Sequence, residues 1–234
     1  MEDRLARDPQ AIRAMFEGAA GRYDLLNRLL SLRQDVRWRR RLVGALAVAP
    51  SGAVLDLATG TGDVALAAAT RSVVGADFTV GMLARARRKA AAAGCVCRWV
   101  AADALALPFR EGSFAAVTIA FGVRNFVDLE RGLREMRRVL VSAGLVAILE
   151  LHRPRRAVLA ALAAAWNRLV VTPLGRMLSG DGSAYAYLPA SIDTFPDLAT
   201  LGRRVGACGL ALVESVELSG GVAGLTVARR VEEP

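Results

Sequence analysis

From residue 53 onward, short apolar runs alternate with stretches of helical period, and this alternation limits the fold more than any other feature. The runs fall at 53–58, 72–77, 96–101, 114–121 and 145–151. Helices are predicted from Asp63, over 80–93 and over 128–140. Strands alternating with helices imply a parallel sheet covered on both faces. Two further runs, 210–218 and 222–230, are joined by Ser219-Gly220-Gly221, a hairpin signal. The predicted fold is therefore α/β: a doubly wound, mostly parallel seven-stranded sheet, Rossmann-like, ending in an antiparallel hairpin. Plain dinucleotide-binding folds usually lack that hairpin.

The flanks are helical. Ile12, Met15 and Phe16, then Leu25, Leu26, Leu29 and Leu30, recur at helical spacing and make residues 1–50 a helical N-terminal extension. The basic cluster from Arg33 to Arg41 reads as a solvated helix face. After Arg155 the alternation breaks, and 153–196 reads as a helical insertion, without an acidic residue between Leu151 and Gly180. A helix near 197–207 follows. No linker interrupts the chain, so its 234 residues are read as one domain.

Composition excludes several classes. A domain of this size buries about 70% of the surface its unfolded chain exposes, so it needs no staples. Three cysteines form no disulfide framework, and with one histidine they are too few for zinc chemistry, so no metal is expected. Cys95 and Cys97, two apart, read as small core residues on one strand face. The opening Met1-Glu2-Asp3-Arg4 has no apolar h-region, which predicts no signal peptide. The longest apolar run, 157–166, is half of the roughly 20 residues that span a bilayer. A reducing, cytoplasmic setting is expected. The net charge of +9 favours an anionic partner without choosing among nucleic acid, membrane surface and acidic substrate.

Candidate site residues lie at strand ends. In the turn Asp56-Leu-Ala-Thr-Gly60-Thr61-Gly62-Asp63, glycines let the backbone approach a ligand, with Asp63 placed to cap the next helix. Asp77 ends the second strand, placed to accept from a ribose diol. Asp103-Ala104 follows the third, where a carboxylate can meet the amine of an adenine or, equally, cap a helix. The turn also satisfies the dinucleotide pattern, leaving an NAD-binding oxidoreductase open. That reading lacks a Tyr-x-x-x-Lys pair, because Lys89 is the only lysine. A nucleic-acid module rests on charge alone, without interleaved aromatics, so no nucleic-acid partner is expected. Asp77, Asp103 and the terminal hairpin together favour S-adenosylmethionine.

Longer segments are more specific. Arg22-Tyr23-Asp24-Leu25-Leu26-Asn27, Asp56 through Asp63, Asp103-Ala-Leu-Ala-Leu-Pro-Phe109 and Val117 through Asn125 resemble the demethylmenaquinone/ubiquinone C-methyltransferase family. Ser179-Gly180-Asp181, Ala184 through Pro189, and Ser191 through Asp197 resemble its C-terminal part, so the likeness covers residues 14 to 227. The resemblance implies a class I methyltransferase fold and S-adenosylmethionine as cofactor. It places cofactor contacts at Thr61, Asp77, Asp103 and Ala104, beside Asp56, Gly60 and Gly62 of the turn. Arg124, Asn125 and Tyr23 fall near the family's reaction centre, with a structural loop clamp as the alternative for Arg124-Asn125. Ala120 replaces a frequent serine, and Phe114-Ala115, Ser142-Ala143-Gly144 and Glu150-Leu151-His152 also depart from the family pattern. His152 reads as a solvated residue beside Arg153.

The implied substrate is a prenylated quinol, demethylmenaquinol first, with a ubiquinone precursor or another phenol as alternatives. Such a substrate lives in the bilayer, so peripheral contact at the inner membrane face is expected. Residues 153–178 are the candidate contact, carrying Arg153, Arg155, Arg156, Arg168 and Arg176 beside Leu159, Leu162, Trp166, Leu169 and Val170. The rival is that this face packs on the protein, closing the pocket or a homodimer.

Overall fold

The structure, a computed structural model, describes residues 23–173 and 183–231. Among the described residues, helices α1 (Tyr23–Leu30) and α2 (Gln34–Gly44) precede β1 (Val54–Leu57). Then come α3 (Asp63–Ala67), β2 (Val73–Asp77), α4 (Val80–Ala92), β3 (Cys97–Ala101), β4 (Phe114–Ala120) and α5 (Leu129–Val139). After β5 (Leu140–Leu151) the insertion supplies α6 (Ala157–Trp166) and α7 (Ser183–Thr194). Helix α8 (Leu198–Ala207), β6 (Leu210–Leu218) and β7 (Ala223–Arg230) complete the order. The predicted pattern through Ile12, Met15 and Phe16, and the segment with Arg176 and Ser179-Gly180-Asp181, lie outside the described residues.

The seven strands form one sheet in the order β3-β2-β1-β4-β5-β7-β6. The first five are parallel, and β7 runs antiparallel between β5 and β6. Both faces are covered, which is why the central strands read as continuous apolar runs. Along β5, Val146 and Ile148 pack with Leu133 and Met136 of α5 and Leu201 and Val205 of α8. Leu145, Ala147 and Leu149 pack on the opposite side with Trp38 and Leu42 of α2 and Val64 of α3.

Helix starts follow local chemistry. Asp128 caps α5 by accepting from Arg131 N at 2.8 Å, and Asp197 caps α8 by accepting from Thr200 N at 2.7 Å. At α3 the prediction is corrected: the cap is Gly62, at φ 85°, and Asp63 is the first helical residue. A left-handed cap suits glycine, and the Asp63 carboxylate is drawn instead to Lys89 and Arg39. The reading of Cys95 and Cys97 is corrected too. Only Cys97 lies in β3, where it is partly buried and packs against the core, while Cys95 precedes the strand and is partly exposed. The basic stretch around α2 is more than a solvated face: Arg39 pairs with Asp35 and Asp63 and lies 5.4 Å from the Phe121 ring centre, while Arg41 pairs with Glu214.

Candidate functional site

A pocket opens where the carboxyl ends of the first four strands converge, the usual ligand position in an open α/β sheet. Leu57, Ala58 and Gly60 line it from the first turn, and Asp77, Phe78, Thr79 and Met82 from the second. The segment 102–105 adds a third wall, and Phe121, Gly122, Asn125 and Phe126 a fourth.

The glycine turn is held from beneath by Asp56. Its carboxylate accepts from the Thr59 hydroxyl at 2.5 Å, the Thr118 hydroxyl at 2.8 Å and Ala65 N at 3.1 Å. Burial pushes this carboxyl up to about 6, against those hydrogen bonds. Asp56 is fully enclosed and braces the turn rather than lining the pocket. Gly60, at φ 55°, does line it, and a Cβ there meets nothing within 4 Å, so backbone conformation is what favours glycine. Gly62 faces the other way, where a Cβ would lie 2.8 Å from the Trp99 ring.

Asp77 ties the first two loops together by accepting from Gly60 N at 2.7 Å and Thr79 N at 2.8 Å. Burial pushes its carboxyl up. Asp103 accepts from Leu105 N at 2.8 Å and closes a turn on Ala106. No helix starts there, so the helix-cap alternative is set aside. Asp103 and Ala104 both face the pocket.

Thr61 faces α1 instead. Its hydroxyl donates to Asp24 at 2.5 Å and accepts from the Lys89 ammonium at 3.2 Å. Lys89 also pairs with Asp24 at 2.6 Å and with Asp63. Burial opposes the Asp24 charge, but Lys89 and Thr61 outweigh it and hold the carboxyl below the ordinary range.

Of the three expected reaction-centre residues, Asn125 is on the pocket wall. The Arg124 side chain, 6% exposed, lies behind it and pairs at 2.7 Å with Glu150, which is fully buried. Tyr23 opens α1, but its side chain lies outside what is described. His152 is not solvated, correcting the expectation: the 195–196 loop covers it, Nδ1 contacts Pro196 O at 3.1 Å, and burial lowers its pKa. Sequence reasoning passed over Phe78, Met82 and Phe126, the apolar walls, and gave Glu150 no role.

The sheet order, the antiparallel seventh strand and a glycine turn under a four-loop pocket define a class I methyltransferase fold. A putative S-adenosyl-L-methionine-dependent methyltransferase from Methanococcus maripaludis superimposes with TM-score 0.62 at 13% identity, covering 97% of this chain and 95% of that one. The [4+2]-cyclase SpnF superimposes with TM-score 0.72 at 15% identity, covering 96% and 97%, so fold alone does not fix the reaction. Sequence does: residues 4–230 match the ubiE/COQ5 methyltransferase family. The demethylmenaquinone methyltransferase of Thermus thermophilus is 48% identical over 221 residues, 92% of this chain and all of that protein. This chain belongs to that family, the S-adenosylmethionine-dependent methyltransferases of quinone biosynthesis. The oxidoreductase and nucleic-acid readings are thereby set aside.

Proposed function

We propose that this chain transfers a methyl group from S-adenosylmethionine to a ring carbon of a prenylated quinol, demethylmenaquinol, giving menaquinol. The observation that carries the reading is one pocket presenting Asp77, Asp103 and Asn125 from three successive strand ends between apolar walls. These walls suit an adenosyl group. Phe78, Met82 and Leu105 offer faces to the base, and Gly60 lets the backbone come close. The Asp77 carboxylate, fixed by the Gly60 and Thr79 amides at the pocket wall, is the acceptor placed for the ribose hydroxyls. Asp103 is placed for the exocyclic amine. Thr61, Gly62 and Asp56 serve the cofactor through the turn they hold, and Ala104 through the third wall.

Bound there, the cofactor supplies an electrophilic methyl on a sulfonium cation. The chain must then align the ring and make it nucleophilic. A phenolic hydroxyl with a reference pKa of about 10 ionises more readily beside a fixed cation. Arg124 supplies, from behind the Asn125 wall, the cationic end of its pair with Glu150, Asn125 orients the ring oxygen, and Tyr23 extends the relay. Deleting the gene and profiling quinones tests the substrate: demethylmenaquinone should accumulate and menaquinone disappear. An unchanged profile would reject it.

The quinol must be met at a membrane, and no helix of the described residues is long and apolar enough to cross one. Helix α6 is the surface we propose for peripheral contact of a cytoplasmic protein with the inner face of an anionic membrane. Val158, Leu162, Trp166 and Leu169 form a stripe at helical spacing, and none of α6 is buried among the described residues. Leu29 and Leu32 are also exposed, and the Trp166 indole donates to Leu30 O, between them in sequence, at 3.1 Å. Arg153, Arg155, Arg156 and Arg168 flank the stripe, each basic group contributing about 1 kcal/mol near anionic lipid. Co-sedimentation should require anionic lipid and fade in high salt. Salt-insensitive binding, or a dimer that covers the stripe and no lipid binding, would overturn this docking.

A further inference from the structure

The geometry points to Glu150 as the positioning residue for Arg124: this enclosed carboxylate sets the guanidinium's place, with Ser191 of the insertion helix holding its other edge. The inference deepens the proposed reaction and rests on Arg124 acting there.

Glu150 is the penultimate residue of β5, with no exposed side-chain surface. A carboxylate there needs a full set of donors. It has them. Leu151 N donates to Oε1 at 2.8 Å, Arg124 N to Oε2 at 3.2 Å, and Arg124 Nη1 to Oε1 at 2.7 Å. Two of these are main-chain amides on different elements, so the acid is anchored by backbone as well as by the guanidinium. Glu150 holds both the backbone and the side chain of Arg124.

On its other side, Nη1 also donates to Phe121 O at 2.7 Å, and Nε donates to the Ser191 hydroxyl at 3.3 Å. Ser191 lies on α7, is buried, and donates its own hydroxyl hydrogen bond to Leu188 O at 2.9 Å. Arg124 therefore joins three elements: the loop after β4, the end of β5 and the inserted helix. Phe121 and Gly122 of the same loop, and Asn125 beside Arg124, face the pocket. The placement of that wall depends on the Glu150 carboxylate.

The pair also decides what Arg124 can do. Taking a proton from the guanidinium would leave the Glu150 charge enclosed without its partner, so Arg124 does not serve as a base. It is a fixed positive charge, held by Glu150 and aimed by Ser191.

Glu150→Gln keeps the shape and removes the charge. With the full chain, kcat for reduced demethylmenaquinone is expected to fall about 10- to 100-fold, the scale of an ångström's misplacement of a working group. The Kd for S-adenosylmethionine should stay within about twofold, since Asp77 and Asp103 lie on other loops. Glu150→Asp should recover part of the loss, and Ser191→Ala should lower kcat less than Glu150→Gln. Adding Glu150→Gln to Arg124→Lys should cost less than the product of the two single losses. If Glu150→Gln does not fold, Glu150→Asp and Ser191→Ala, each alone and combined with Arg124→Lys, carry the same comparison. Wild-type kcat in correctly folded Glu150 and Ser191 variants, or strictly multiplicative losses, overturns the inference. Wild-type kcat in Arg124→Lys itself would instead overturn the role proposed for Arg124.

Discussion

The turn under the pocket contains a buried acid whose titration should be visible in stability. Folded, the Asp56 carboxyl titrates at about 6, against an ordinary 3.8. Between those values the folded protein holds a proton that the unfolded chain has released. Folding therefore binds protons, and stability from this group is present at low pH and lost as pH rises through 6. The gap of about two pH units corresponds to about 3 kcal/mol over the full titration, of which about 2 kcal/mol falls between pH 4.5 and 7.5. Asp56→Asn should abolish this slope and still fold. The new amide oxygen can accept from Thr59 and Ala65, its NH2 can donate to Thr118, and the Thr118 hydroxyl can turn to Leu55 O at 3.5 Å. The assay is urea unfolding of both proteins across that range. Subtracting the curves cancels the other carboxylates, including Asp24, which acts in the opposite direction. Parallel curves would refute the assignment of a raised, proton-binding Asp56.

Three further outcomes follow from the site. Asp77→Ala should weaken S-adenosylmethionine binding by about 1.5–3 kcal/mol in calorimetry, and unchanged affinity would remove Asp77 from the ribose. Gly62→Ala places a Cβ at φ 85° and 2.8 Å from Trp99, so it should destabilise by about 2 kcal/mol and lower Tm by about 4–8 °C; an unchanged melting curve would contradict the crowding. The His152 pKa lies below 6.5 through burial, so its contribution to stability is present above that pH and lost as pH falls; His152→Leu should remove this acid-side slope, and an identical pH profile would mean that the ring is not buried.

The sheet was legible because each buried central strand writes its burial as an apolar run, and two helix starts show side-chain caps, Asp128 and Asp197. Where local chemistry competed, the reading slipped: Asp63 has a capping side chain, but a left-handed backbone and the pull of Lys89 moved the cap to Gly62. Gly60, Asp77, Asp103 and Asn125 were legible as pocket residues because topology alone brings strand ends together. Thr61 and Arg124 face partners that strand-end reasoning does not reveal. Arg124 meets Glu150 26 residues away and Ser191 67 away, and Lys89 meets Asp24 across 65. His152, next to Arg153, resembles a surface residue until Phe195 and Pro196 fold over it. Such contacts depend on packing between elements far apart in sequence.

The central claim is methyl transfer to a quinol ring, and product mass tests it most directly. The purified chain would be supplied with trideuteromethyl-labelled S-adenosylmethionine and reduced demethylmenaquinone in anionic lipid vesicles. The account predicts a menaquinone carrying the intact CD3 group on carbon, formed in one-to-one ratio with S-adenosylhomocysteine and absent when the quinone is left oxidised. Label on oxygen, equal transfer to the oxidised ring, or no transfer by a chain that binds the cofactor would contradict it.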